Sequence, residues 1–141
     1  MELIKFFYLD VKPSFSQRTK LKGAINKLFI KEKIKLAGLT YIFCTDNYLL
    51  GINKKFLQHH FYTDIITFDL SATGQDIQGE IYISTERVRE NAQKFGTSFK
   101  EELHRVVFHG SLHLCGYQDK SKRDKVRMRK MEDLYLRDYF Q

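Results

Sequence analysis

The sequence is poor in the residues that divide a chain or cross-link it. Its 141 residues include one proline (Pro13) and no tryptophan, and there is no Pro/Gly-rich linker, low-complexity tract or internal repeat. This pattern predicts one compact domain over residues 1–141. Cys44 and Cys115 are too few for a disulfide framework and do not form a CxxC pair, so we expect buried free thiols.

Long apolar runs are also missing. No stretch approaches the roughly 20 apolar residues that span a bilayer. The first residues lack the basic start, apolar core and cleavage site of a signal peptide. These absences predict a cytoplasmic protein with no membrane partner. Hydrophobic residues nevertheless make up 43% of the chain, with 12 Phe and 8 Tyr, which excludes a disordered chain.

Positively charged residues outnumber negatively charged ones. The formal net charge is +7, and much of the excess lies in residues 12–35 and 120–130. Such a field attracts polyanions, RNA above all, although a generically basic surface or two solvated helix faces would carry the same charge.

Hydrophobic periodicity predicts four strands alternating with four or five helices. The strands are expected over residues 4–9, 39–44, 63–70 and 79–84. The helices are expected over residues 16–35, from Asp46 as an N-cap, from Ser84 or Thr85 to residue 95, over 99–114, and after residue 121. Ser98 and Ser121 begin capping-box patterns, and Gly96 is placed to end a helix. This mixture is typical of an α+β or α/β domain.

The segment from His109 to Asp119, HGSLHLCGYQD, contains the candidate metal ligands. Its two histidines are four residues apart on one helix, at the margin of the core face, and this spacing lets two imidazoles bind one metal ion. Gly116 permits a positive φ that would end the helix and bring Asp119 back as a third ligand. Three protein ligands and a fourth position for water are typical of a catalytic zinc site. A histidine pair at this spacing also occurs on helices that bind no metal, and His104, on nearly the opposite side, is expected to be exposed.

Gly110 occupies the position where H-E-x-x-H metallopeptidases carry a glutamate as general base. Its presence argues against ordinary zinc-protease chemistry, unless another carboxylate replaces that base.

The motif HGxLHLxGY, from His109 onward, resembles the signature HGxLHLxGYDH of the YbeY family of bacterial endoribonucleases, also called rRNA maturation factors. Three further segments resemble family elements and occur in the family order. Residues 52–53 (IN) resemble LN, residues 63–68 (TDIITF) resemble TDVLSF, and residues 79–84 (GEIYIS) resemble GDIxIS.

This resemblance implies an α+β fold in which a small mixed β-sheet packs with four to five helices around a zincin-like metal site. It implies one Zn²⁺ held by His109 and His113, with Asp119 at the position of the family's third histidine. A carboxylate there would make the bound water less acidic. The implied activity is metal-dependent hydrolysis of single-stranded RNA in ribosomal RNA maturation and ribosome quality control. The implied partner is ribosomal RNA or the small ribosomal subunit, and not DNA.

A second departure from the family pattern is Leu57, which stands where the family carries an arginine. Two other functions therefore stay open: a metallopeptidase, and a non-catalytic ribosome-assembly factor that contains a metal. Thr63, Asp64 and Thr67 are either substrate contacts or buried strand residues, and Glu80 is either a partner of a ligand histidine or an edge-strand charge. The candidate RNA contacts are Lys54, Lys55, Lys120, Lys122 and Arg123.

Overall fold

The computed structural model describes residues 2–141 and has a four-stranded sheet with five helices in that part of the chain. The strands are β1 (Ile4–Tyr8), β2 (Leu36–Cys44), β3 (Ile65–Asp69) and β4 (Ile77–Ser84). The helices are α1 (Arg18–Lys31), α2 (Asp46–Leu57), α3 (Thr85–Phe95), α4 (Phe99–Leu114) and α5 (Lys122–Phe140). The sheet order is β1-β2-β4-β3, with β3 antiparallel to β4 and the other pairs parallel. The α+β prediction, a small mixed sheet packed with helices, is confirmed.

The two faces of the sheet build two cores of unequal size. Side chains alternate between the faces of a strand, so Tyr41, Phe43 and Ile81 all point into the larger core beneath α1, α4 and α5. The other face packs against α2, and Leu49 of this helix forms the smaller cluster together with Ile66 and its neighbours. This layering places α4 across one face of the sheet, with β3 and β4 beneath it.

The helix caps expected at Ser98, Ser121 and Gly96 are present in the structure. The Oγ atom of Ser98 accepts a hydrogen bond from the Glu101 N–H at 3.0 Å, and that of Ser121 accepts one from the Asp124 N–H at 3.0 Å. Gly96 has a φ of 71° and ends α3. The predicted beginnings of α4 and α5 are therefore confirmed, since a serine cap satisfies a backbone N–H that has no partner within the helix.

Three helix boundaries differ from expectation. The first helix begins at Arg18, two residues later than expected. The first helix ends at Lys31, because Lys33 takes a φ of 60° and the chain turns into β2. The cap of α2 is Thr45, whose hydroxyl accepts from the Tyr48 N–H at 3.2 Å. Asp46 is the first residue of the helix, and its carboxylate pairs with the Arg87 guanidinium at 2.7 Å.

The prediction that His104 is exposed was wrong, because only 4% of its surface is accessible. Its ring lies 5.2 Å from that of Phe15, 4.9 Å from that of Tyr139 and 5.0 Å from that of Phe140. Burial lowers the pKa of His104. The C-terminal aromatic residues cover the side of α4 that faces away from the sheet, a long-range contact that helical periodicity does not encode.

Helix α5 provides the cover over α4. It buries a stripe of residues at helical spacing: Met128, Glu132, Tyr135, Leu136 and Tyr139. Glu132 is the one acidic member of this stripe and is 5% exposed. Within residues 2–141 no helix, α5 included, is both long and apolar enough to cross a membrane.

The two cysteines are free, with Cys44 buried and Cys115 half-buried. Burial raises the pKa of each thiol to about 12. Both side chains are therefore neutral thiols at physiological pH, which agrees with the packing role predicted for them and not with thiolate chemistry.

Candidate metal centre

His109 and His113 lie one turn apart on α4, with their ring centroids 4.6 Å apart. Gly110, between them, faces the sheet at very close range. A Cβ atom at Gly110 would lie 2.8 Å from Cδ1 of Ile81 and 3.0 Å from Cδ1 of Ile65. The position therefore has no room for the glutamate of an H-E-x-x-H motif, and the same close packing fixes the height of both histidines above β3 and β4.

Replacing Gly110 with alanine is expected to lower the free energy of unfolding by up to about 2 kcal/mol, because an overpacking cost of about 1–3 kcal/mol is partly offset by a helix-propensity gain of about 0.5–1 kcal/mol. The matched control is Gly23→Ala on α1, where an added Cβ meets nothing within 4 Å. That change should raise the free energy of unfolding by about 0.5–1 kcal/mol through helix propensity. Urea unfolding of the three proteins measures both effects. A Gly110→Ala protein as stable as the wild type would show that α4 or the side chains of Ile81 and Ile65 move to make room for the methyl.

The turn after α4 brings a carboxylate to the histidines. Gly116 has a φ of 101°, a conformation that favours glycine. The Tyr117 N–H then donates to the Leu112 carbonyl at 3.0 Å, which reverses the chain at the helix end. Oδ2 of Asp119 consequently lies 3.3 Å from Nε2 of His109 and 3.3 Å from Nε2 of His113.

The other ring nitrogens are already occupied. Nδ1–H of His109 donates to Oε2 of Glu132 at 2.6 Å, and Nδ1–H of His113 donates to the Tyr117 carbonyl at 2.9 Å. Such bonds fix the tautomer and leave the Nε2 lone pairs available to a metal ion.

The spacing of the donor atoms fits a small cation. One donor atom each from His109, His113 and Asp119 can be chosen so that all lie within 4.8 Å of one another. Two ligand atoms about 2.1 Å from a tetrahedral zinc ion are themselves about 3.4 Å apart. The observed separations of 3.3 Å from Asp119 Oδ2 to each imidazole Nε2 match that value. The two nitrogen–oxygen separations therefore suit a zinc ion bound between these three side chains.

Residues outside the motif hold the turn in place. The Tyr117 hydroxyl donates to Oε1 of Glu32 at 2.8 Å, and the Tyr135 hydroxyl donates to Oε2 of the same carboxylate at 2.6 Å. Glu32 lies just beyond the end of α1. The Tyr117 carbonyl accepts the hydrogen bond from His113, and the Tyr117 side chain is in turn held by Glu32 at the end of α1.

Glu132, which the sequence analysis did not name, is the side-chain partner of His109. Its Oε1 accepts from the Arg105 guanidinium at 3.0 Å while its Oε2 accepts from His109, and the same guanidinium also contacts Asp133 at 2.8 Å. Burial lowers the pKa of His109, but the hydrogen bond and charge of Glu132 more than offset it, and the net pKa is raised. Glu80, considered for this role, instead accepts from the Tyr82 hydroxyl at 3.1 Å.

A cavity of about 660 Å³ opens beside the cluster. Thr63, Asp64 and Thr67 all line it, and Leu57 lies on its wall, 40% exposed. Burial raises the pKa of the Asp64 carboxyl, and burial together with the charge of Asp64 raises that of Glu102, which also lines the cavity. Several carboxyl groups facing one cleft favour a bound cation there.

The predicted RNA contacts lie elsewhere on the surface. The cavity wall contains two guanidinium groups, those of Arg105 and Arg129, and Arg129 is the exposed one, with 61% of its side chain accessible. The five basic residues predicted from the sequence are all exposed and are absent from this wall: Lys54, Lys55, Lys120, Lys122 and Arg123. Their contact with RNA stays a prediction.

Comparison with known proteins identifies the family. The model of the family endoribonuclease YbeY matches residues 10–139. Endoribonuclease YbeY of Cytophaga hutchinsonii is 47% identical over 135 residues, covering 96% of this chain and 94% of the relative. The protein of the same name from Flavobacterium psychrophilum is 45% identical over 135 residues, covering 96% and 95%. A Thermotoga maritima protein whose solution structure is known superposes with a TM-score of 0.62 at 25% identity, covering 97% of this chain and 89% of the other. The chain belongs to the YbeY family of endoribonucleases.

Proposed function

We propose that this protein is a zinc-dependent endoribonuclease that cleaves single-stranded RNA. The observation that carries the proposal is the convergence of His109, His113 and Asp119, with both imidazole Nε2 atoms 3.3 Å from one carboxylate oxygen, beside an open cavity. Membership of a family named for endoribonuclease activity supports RNA as the substrate class.

Zinc is the proposed metal, one ion per chain, because two imidazoles and a carboxylate are ligands that it accepts in tetrahedral geometry. When bound, zinc lowers the pKa of a coordinated water and polarises a phosphoryl oxygen. The protein supplies the orientation: Glu132 fixes the ring of His109, and the Tyr117 carbonyl fixes that of His113. The exposed guanidinium of Arg129, on the cavity wall, is placed to contact a flanking phosphate.

The proposed setting is the cytoplasm, where the substrate would be ribosomal RNA or the small ribosomal subunit during rRNA maturation and quality control. The net charge of +7 supports attraction to such a polyanion, with Lys54, Lys55, Lys120, Lys122 and Arg123 as outer phosphate contacts. Two nucleophiles fit the cavity: water, or the 2′-hydroxyl of the RNA itself. The second route leaves a cyclic phosphate and cannot act on DNA.

Metal removal tests the proposal. Treatment with a chelator is expected to abolish cleavage of a labelled single-stranded RNA, and addition of stoichiometric Zn²⁺ is expected to restore it. A DNA strand of the same sequence is the matched control: it should stay intact if the 2′-hydroxyl is the nucleophile, and its cleavage would indicate attack by water. Analysis of the 3′ ends by mass spectrometry then distinguishes the two nucleophiles. Cleavage that continues in a protein shown to be metal-free would contradict the proposal.

Two other functions predict different outcomes in assays of peptide cleavage and RNA binding. A metallopeptidase would cut a peptide library in a chelator-sensitive way and leave RNA intact, but the contact at Gly110 removes the position of its usual general base. A non-catalytic assembly factor is supported by Leu57, which places an exposed apolar side chain where the family has an arginine. Zinc-loaded protein that binds ribosomal RNA without cutting it would establish that function.

A further inference from the structure

The loop between α2 and β3 carries exposed aromatic rings on the wall of the cavity. His59 and Phe61 both line it, and their rings are stacked with centroids 5.1 Å apart and planes inclined by 20°. Phe61 is 57% exposed, although a large apolar ring gains free energy from burial. The metal cluster lines the same cavity, so the ring pair and the cluster face one space.

A buried amide holds this loop in shape. Gln58 takes a φ of 56° and ends α2, after which the His59 N–H donates to the Asn53 carbonyl at 3.1 Å. The Asn53 side chain, 1% exposed, donates through Nδ2 to the Phe61 carbonyl at 2.9 Å. The backbone on both sides of the ring pair is thus tied to one residue of α2. The rings are presented by a fixed support and would need little ordering when a ligand binds.

We propose that His59 and Phe61 form a stacking subsite for one unpaired nucleobase of the RNA substrate. The inference rests on the proposed function, since it takes RNA as the substrate and adds a binding site for one of its bases. Every base offers a flat π face to an aromatic ring, whatever its sequence. A base inside a duplex has both faces covered by its neighbours, so this subsite selects single strands.

The aromatic character of the ring pair favours a base over a phosphate at this position, and the cations that could contact a phosphate, Arg105 and Arg129, are other residues of the cavity wall. Asp64 and Glu102 line the cavity and would repel a phosphate when ionised. An aromatic contact with a neutral base lacks that repulsion. Leu57, also on the cavity wall and 40% exposed, adds apolar surface and offers no hydrogen-bond donor to a phosphate. The subsite therefore allows an RNA strand to place a neutral base, and not a charged phosphate, next to the acidic residues of the cavity.

Binding measurements on zinc-loaded protein test the subsite. The probe is a labelled single-stranded 2′-O-methyl RNA with phosphorothioate linkages, which resists both routes of cleavage, and the readout is fluorescence anisotropy. Phe61→Leu keeps apolar bulk but loses the π face, and should raise Kd about tenfold or more, because stacking on one base is worth that much. Phe61→Trp keeps the π face and should stay within about twofold of the wild type. Phe95→Leu, at an aromatic residue that is 59% exposed and outside the cavity wall, is the control and should leave Kd unchanged.

A second probe ties the effect to a base. An oligonucleotide with one abasic position, moved along the strand, should bind the wild type more weakly at one register and should show no such register with Phe61→Leu. Equal Kd for wild type and Phe61→Leu, in protein that cleaves RNA, overturns the subsite and leaves the proposed function standing. Weaker binding by Phe61→Leu in a protein that does not cleave RNA supports the subsite and overturns the nuclease. Absence of RNA binding by the wild type overturns both and points to an apolar segment of a protein partner.

Discussion

Replacing His113 with alanine is expected to abolish zinc binding at the centre and to lower the rate of RNA cleavage by about a thousandfold or more. A catalytic metal contributes several kcal/mol of transition-state stabilisation, which corresponds to about three powers of ten in rate. Without His113, two of the three donors remain, His109 and Asp119. The fold should survive, because the His113 side chain is 26% exposed and the substitution removes a single hydrogen bond, to the Tyr117 carbonyl.

The matched control is His60→Ala, the same substitution at an exposed histidine that is outside the cavity wall. Zinc content, thermal unfolding and single-turnover cleavage are measured for all three proteins after identical purification. Wild-type and His60→Ala proteins should be alike in all three respects. Equal cleavage by the wild type and His113→Ala would mean that the activity comes from a contaminating nuclease. Unchanged zinc content in His113→Ala would place the metal elsewhere.

The sequence predicted the features whose cause is local. The serine caps at Ser98 and Ser121 and the turn at Gly116 follow from hydrogen bonds and φ angles within a few residues, and the structure has them where they were expected. The convergence of Asp119 on His109 and His113 was predictable for the same reason, since all three lie within one helix and the turn that follows it.

The errors concern contacts between distant parts of the chain. His104 lies on the outer side of α4 by periodicity, and is buried because the C-terminal residues Tyr139 and Phe140 pack over it. Glu80 was one candidate partner of a ligand histidine, whereas His109 contacts Glu132, 23 residues beyond it on a different helix.

One signal in the sequence could have identified Glu132. It occupies a core-facing position of α5, four residues after Met128 and three before Tyr135, both of which are buried. A carboxylate in an apolar stripe needs a buried partner, because an uncompensated charge inside a protein is costly. The candidates were basic or histidine residues on whichever helix α5 covers. Naming α4 as that helix required the tertiary structure.

Glu132 is also the residue whose conservative replacement should have the largest effect outside the ligand set. Glu132→Gln keeps the shape and an acceptor oxygen for His109 but removes the negative charge. The charge strengthens the imidazole as a ligand and stabilises its developing positive charge when the metal binds. Loss of such an outer partner costs about 10–100-fold in metal affinity. We therefore expect the Kd for zinc to rise by about that factor.

The experiment needs a control for the effect on Arg105, because Glu132→Gln also removes one of the two carboxylate partners of Arg105. Asp133→Asn is the matched variant: it removes the other partner of Arg105, which is more exposed, and leaves the bond between Glu132 and His109 intact. Competition of each protein with a chromophoric zinc chelator gives the Kd. If Glu132 acts through His109, Glu132→Gln weakens zinc binding, Asp133→Asn does not, and excess zinc restores much of the lost cleavage. Equal weakening by both variants would instead assign the effect to Arg105 and the packing of α5 on α4, and unchanged affinity in both would show that the carboxylate does not tune the metal centre.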